Sequence, residues 1–99
     1  MIELAKPTTW RSEAYLDWIR AMPCLSCGAP EPSEPHHVVT GGMSNKCSDA
    51  HTVPLCHRCH RLAQAHQWDV LVMRYGFGAA EMWKGCAILI ERWMTSEVD

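Results

Sequence analysis

The sequence predicts a small α+β domain whose fold is completed by a bound metal ion. Three observations lead there. Two Cys-x-x-Cys pairs, Cys24–Cys27 and Cys56–Cys59, bracket the middle of the chain, with 28 residues between them. Two short β-prone segments on either side of a Gly-rich loop occupy that interval. Helical periodicity fills the chain before and after it. At 99 residues there is room for one domain, spanning residues 1–99. A core of that size is marginal without added support.

The first element is a helix over about 12–22, "SEAYLDWIRAM". Ser12 is a suitable N-cap, and Tyr15, Trp18, Ile19 and Met22 recur at i, i+3, i+4 and i+7. Pro23 ends it. Four prolines and a glycine in "PCLSCGAPEPSEP" exclude regular structure there, so residues 23–35 form a loop carrying the first cysteine knuckle. "HHVVT" then reads as a short strand, "GGMSNKCSD" as a turn-rich loop and "HTVPL" as a second strand. From Cys56 or His57 onward "CHRCHRLAQAH" is helical, which closes a core running over about 23–68.

Helices fill the rest, about 68–96. "WDVLVMRYG" stops at Gly76, a natural residue just past a helix end. "AAEMWKGCAILIERWM" sets Ala79, Met82, Trp83, Cys86, Ile90 and Trp93 on one face. Its "AILI" run adds apolar residues off that face, which fits burial on two sides or a homodimer contact.

Bulk properties narrow the function classes. The chain is 47% hydrophobic and 20% charged, with no low-complexity tract. No apolar run is long enough to span a bilayer, and the opening "MIELAKPTTW" lacks the build of a secretory signal, so a cytoplasmic protein is expected. In a reducing compartment, paired cysteines point to metal rather than disulfide. The net charge of −2 runs against a nucleic-acid binder, although most acidic residues lie outside positions 21–75 and the centre holds Lys46, Arg58, Arg61 and Arg74.

Four thiolates from Cys24, Cys27, Cys56 and Cys59 complete a tetrahedron around zinc. Such a site is closed, so it supports the fold and does no chemistry. Redox cysteines or unliganded core thiols are the alternatives, and neither pair sits in a thioredoxin-like context. Cys47 and Cys86 read as small apolar residues.

Six histidines remain: His36, His37, His51, His57, His60 and His66. Their order is informative: a His-His pair on the first strand, a Gly-rich loop, His51 opening the second strand, His60 on the following helix. In "PHHVV…SDAHTVPLCHRCHRL" this order resembles the HNH (ββα-metal, His-Me finger) endonucleases. Over "HHVVTGGMSNKCSDAHTVPLCHRCH" it is closest to the phage recombination-enhancement, RecA-dependent nuclease type. The resemblance covers roughly residues 12–75 and rests on several motifs in order rather than on any single one.

The resemblance implies a zinc-stabilised ββα-metal core and a phage or prophage enzyme that hydrolyses DNA to leave 5′-phosphate ends. It makes His37 the general base and His36 and His60 ligands of a catalytic divalent ion. Magnesium or manganese is the expected ion, with nickel or zinc as alternatives. An imidazole, whose ordinary pKa is near ~6.5, can accept a proton from water at neutral pH. Neighbouring residues on a strand point to opposite faces, which suits a division of labour between His36 and His37.

Where the family pattern often has asparagine, this chain has His51, a candidate catalytic residue expected to orient His37 or the loop, with contact to the scissile phosphate as the alternative. His66 is a third ligand only if the helix ends before it, being about 240° round from His60 on a continuous helix. His57 flanks the knuckle and is expected to face solvent. Lys46, Arg58 and Arg61 are candidate phosphate contacts that would position DNA without reading sequence. A RecA filament is the partner the resemblance adds. The alternative from a different class is a non-catalytic zinc module that binds nucleic acid or a protein.

Overall fold

The computed structural model describes residues 10–38 and 48–96, and its elements run α1 (Glu13–Arg20), β1 (Glu34–His37), β2 (Thr52–Leu55), α2 (His57–Gln64), α3 (Trp68–Tyr75) and α4 (Ala79–Ser96). The expected Lys46 and Cys47 lie outside the described residues. A two-stranded antiparallel hairpin sits among four helices, an α+β arrangement in which α2 follows β2 directly. No helix among the described residues is long and apolar enough to cross a membrane.

α1 begins as expected, with the Ser12 hydroxyl accepting the Tyr15 N–H at 3.1 Å. It buries Tyr15, Leu16 and Ile19. Tyr15 is the centre of an aromatic cluster, with Trp10, Trp18 and Trp93 each 5.4–5.6 Å away by ring centroids. This cluster joins the first helix to the last turns of α4. Aromatic contacts of this geometry add about 0.5–1.5 kcal/mol per pair beyond the area they bury.

The hairpin begins earlier than the sequence predicts. The strand expected at residues 36–40 starts at Glu34, with Pro35 inside it, and of the described residues in the predicted span His36 and His37 are strand. Val38 adds one further rung by donating its N–H to the His51 carbonyl at 2.8 Å, and residues 39 and 40 lie outside the described residues. Proline is tolerated because Pro35 stands opposite Pro54, at a rung where neither strand owes the other an N–H. The Pro54 carbonyl therefore points outward, and the Leu25 N–H of the first knuckle takes it at 2.8 Å. All four residues of β2 are buried.

α2 and α3 match their predicted bounds closely. The Cys56 sulfur accepts the Cys59 N–H at 3.5 Å as an N-cap, and α2 ends at Gln64, followed by His66 in the left-handed region at φ 57°. α3 closes on Gly76 at φ 66°, a conformation that costs an L side chain but not glycine. In α4 the inner face is Met82, Cys86 and Leu89, with Trp83, Ile90 and Trp93 partly buried against the core. Ala79, assigned to that face from periodicity, is exposed, while Leu89 joins it. Gly85 has a packing reason: a Cβ there would come within 2.5 Å of Leu25, so the missing side chain lets the knuckle loop lie on the helix.

Candidate metal centres and histidine cleft

The four knuckle cysteines converge. Cys24 and Cys27 sit in a tight turn where Gly28, at φ 80°, donates to the Cys24 carbonyl at 3.0 Å. Cys56 and Cys59 come from the first turn of α2. Their sulfurs all lie within 4.8 Å of one another, and Cys27 and Cys56 are 3.8 Å apart. A tetrahedral zinc site with sulfurs at ~2.3 Å has edges of about 3.8 Å, so the spacing fits the ion. Burial raises the Cys24 thiol, but N–H donors from Cys27, Cys56 and Ser26 outweigh it and bring it down to about 7. Burial pushes Cys59 up instead, and the sulfurs of Cys56 and Cys24 add to that. Four crowded sulfurs cannot all ionise without a cation among them. The quartet could hold a structural metal ion such as zinc. Cys86, at the core, has a thiol pushed up to about 12 by burial, consistent with a small apolar residue.

On the other side of the hairpin a cleft of about 500 Å³ gathers His36, His37, His60 and His66. Each reaches it for a local reason. β1 ends at His37, so both members of the pair stand at the cleft's edge. α2 carries His60 one turn past its cap. His66 comes in because α2 ends at Gln64, which is the condition its participation required. The His36 and His60 rings meet edge to face, centroids 5.0 Å apart. Burial, then the imidazoles of His60 and His37, pulls His36 down to about 4, so its ring is neutral at pH 7 and has a lone pair to offer.

Two carboxylates that sequence reasoning did not single out as site residues hold two of these rings. Glu34 receives His60 Nδ1 at 2.6 Å and His57 Nδ1 at 3.0 Å. Those two bonds hold its carboxyl below the usual carboxylate range. An ionised Glu34 can only accept, so His60 Nδ1 carries the proton and Nε2 keeps its lone pair. Asp49 does the same for His37, with Nε2 and Oδ1 2.8 Å apart. Burial alone would raise the Asp49 carboxyl. The bond to His37, the Ser12 N–H at 2.8 Å and the Arg11 guanidinium at 3.2 Å outweigh it and keep it low. His37 Nε2 is therefore the donor, and Nδ1 is the basic nitrogen.

The remaining candidates fall elsewhere. Asp49, rather than His51, is the hydrogen-bond partner of His37. The His51 ring instead packs edge-on against Trp83, centroids 5.4 Å apart, while its backbone pins Val38 and Ser48. His57 is exposed, as expected, though tied to Glu34. Arg58 and Arg61 are outside the histidine cleft and line a second one of about 400 Å³ with His57 and Leu62. His36 and His60 suit a divalent ion as two imidazole ligands. Among the described residues, the cysteine quartet is the one set of three or more donors that converges, so His66 shares the cleft without completing a triad.

Glu34 was legible in principle. Two residues before His36 on one strand, it shares that residue's face once the strand is allowed to begin before Pro35. Asp49 leaves no such periodic signal, because it lies in a turn and reaches His37 through tertiary contact.

Comparison with known proteins places the chain in a family. Residues 1–81 match the family model described as "Protein of unknown function (DUF968)", and the chain belongs to that family. A protein of Escherichia coli (strain K12), "Uncharacterized protein YdfU", is 37% identical over 62 residues, which is 60% of this chain and 18% of that protein. The chain thus spans less than a fifth of the length of the curated relative it matches. No solved structure matches it.

Proposed function

We propose that this member of the DUF968 family is a metal-dependent endonuclease of the HNH kind, hydrolysing DNA phosphodiester bonds with little sequence preference. One observation carries the reading. A single cleft is lined by a buried neutral histidine, a carboxylate-held histidine with its lone pair free, and a second such histidine in the adjacent strand position.

His37 Nδ1, the nitrogen left without a proton when Nε2 donates to Asp49, takes a proton from the attacking water. The water oxygen bonds to phosphorus and the P–O3′ bond breaks. The leaving 3′ oxygen takes a proton from solvent while His37 later releases its own to solvent, and a 5′-phosphate and a 3′-hydroxyl remain. His36 and His60 would hold the divalent ion, which when bound neutralises phosphate charge and favours departure of the 3′ oxygen. The zinc knuckle fixes the start of α2 and so the position of His60. Arg58 and Arg61 contact the backbone on the far side of α2, and a RecA filament on DNA is the proposed partner.

Supercoiled plasmid, incubated with the zinc-loaded protein in magnesium, manganese or nickel, tests this. Nicked and linear DNA with at least one ion is expected. The low net charge and the lack, among the described residues, of a third donor converging with His36 and His60 favour the rival, a zinc module that binds without cutting. Intact plasmid under every ion, with and without RecA filament, decides for that rival. Equal rates with and without the filament remove RecA as partner.

A further inference from the structure

We infer that the histidine cleft accommodates one unstacked nucleotide of a single DNA strand, its base lying against Trp83 and Trp68. The inference rests on the nuclease reading and specifies the substrate form.

Two of the five tryptophans line this cleft, from different helices: Trp68 opens α3 and Trp83 lies on α4. Both are partly exposed, unlike the fully buried core side chains around them. Trp83 is held by the edge-on contact with His51, so its ring is pre-set rather than free to collapse. The volume of about 500 Å³ falls within the range of small-molecule pockets and suits a nucleotide, not a helix of stacked pairs. An indole face can meet a base only after that base leaves its stack.

Charge supports the same assignment. Among the described residues no lysine, arginine, aspartate or glutamate lines the histidine cleft, so the phosphate chain is not gripped there by ion pairing. Arg58 and Arg61 line the second cleft, and α2 contributes to both clefts. A strand crossing α2 would set the scissile phosphate beside His36, His37 and His60, leave neighbouring phosphates on the arginine side and turn one base toward the indoles. His51 then has a task beyond the loop: it braces the stacking wall.

The test uses the full-length, zinc-loaded His37→Ala variant, so that no cleavage intervenes, and reads fluorescence anisotropy of three labelled 12-mers. These are oligo-dT, an abasic strand of equal length and charge, and a duplex. Oligo-dT is expected to bind about tenfold tighter than the abasic strand and to quench tryptophan emission, since each stacked base contributes on that order. Adding Trp83→Leu should narrow the preference for dT over the abasic strand, with Trp68 retaining the remainder. Equal affinities for dT and abasic strands overturn the inference, as does equal quenching by the duplex. The dT–abasic comparison needs no tryptophan variant, so misfolding of Trp83→Leu cannot obscure the result. Plasmid nicking combined with equal dT and abasic binding defeats the stacking inference alone. A dT preference without cleavage by the wild type supports stacking and defeats the nuclease reading.

Discussion

Asp49 is the residue that gives His37 a fixed chemical state. Its carboxylate is 4% exposed, caps the start of α1 through Ser12, and holds one imidazole nitrogen, leaving the other basic. Asp49→Asn keeps the size but can present an N–H where an acceptor is needed, so it admits the wrong tautomer. Cleavage should fall about 10- to 100-fold, as for other groups that orient a functional histidine. The buried bonds lost should cost about 1–2 kcal/mol, lowering Tm by roughly 5–15 °C for a domain of this size. Imidazole 15N shifts report the tautomer directly. If they leave His37 unchanged while activity falls, Asp49 serves only the fold. Asp49 lay within the Lys-x-Ser-Asp segment that carries the resemblance, yet its bond to His37 was not visible, because a turn aspartate next to "HTVPL" has no periodic partner. The histidines themselves were visible, because their order along the chain resembles the HNH pattern.

At the scale of elements, the hairpin and α2 form one unit clamped from both ends. Leu25 of the first knuckle bonds to Pro54 of β2, and Cys56 both caps α2 and supplies a sulfur to the quartet. Cys56→Ser separates those two jobs. A hydroxyl can still cap the helix, but it is a poor zinc ligand. The variant should therefore bind less than one zinc per chain, melt earlier than the wild type and lose α2 signal in hydrogen exchange. Full zinc occupancy, measured by elemental analysis, would show that the sulfur matters only as a cap. The bounds of α1, α2 and α3 were legible because caps, Pro23 and Gly76 mark them. The start of β1 was not, because Pro35 reads as a breaker unless its pairing with Pro54 is known. The inner face of α4 was legible at Met82 and Cys86, while Ala79 and Leu89 were set by packing that a single-helix period does not contain.

For the whole molecule, a metal ion held by the four cysteines would decide whether the fold persists. Structural zinc contributes about 10–16 kcal/mol in small domains, against a net stability of about 5–15 kcal/mol for typical proteins. Removing it with a strong chelator should collapse the near-ultraviolet signal of the Tyr15–Trp18–Trp93 cluster and most helical circular dichroism, and zinc should restore both. A chelated protein with unchanged Tm contradicts a structural role for the quartet. The two proposed sites should then have separable signatures: zinc loss should unfold the chain, whereas loss of a histidine in the cleft should leave it folded and without cleavage. The most direct measurement is single-turnover cleavage of plasmid DNA by the wild type and His37→Ala, each confirmed to hold one zinc. The account predicts cleavage by the wild type and a loss of at least a hundredfold in the variant, with DNA affinity and Tm nearly unchanged. Equal cleavage by the two proteins would contradict it.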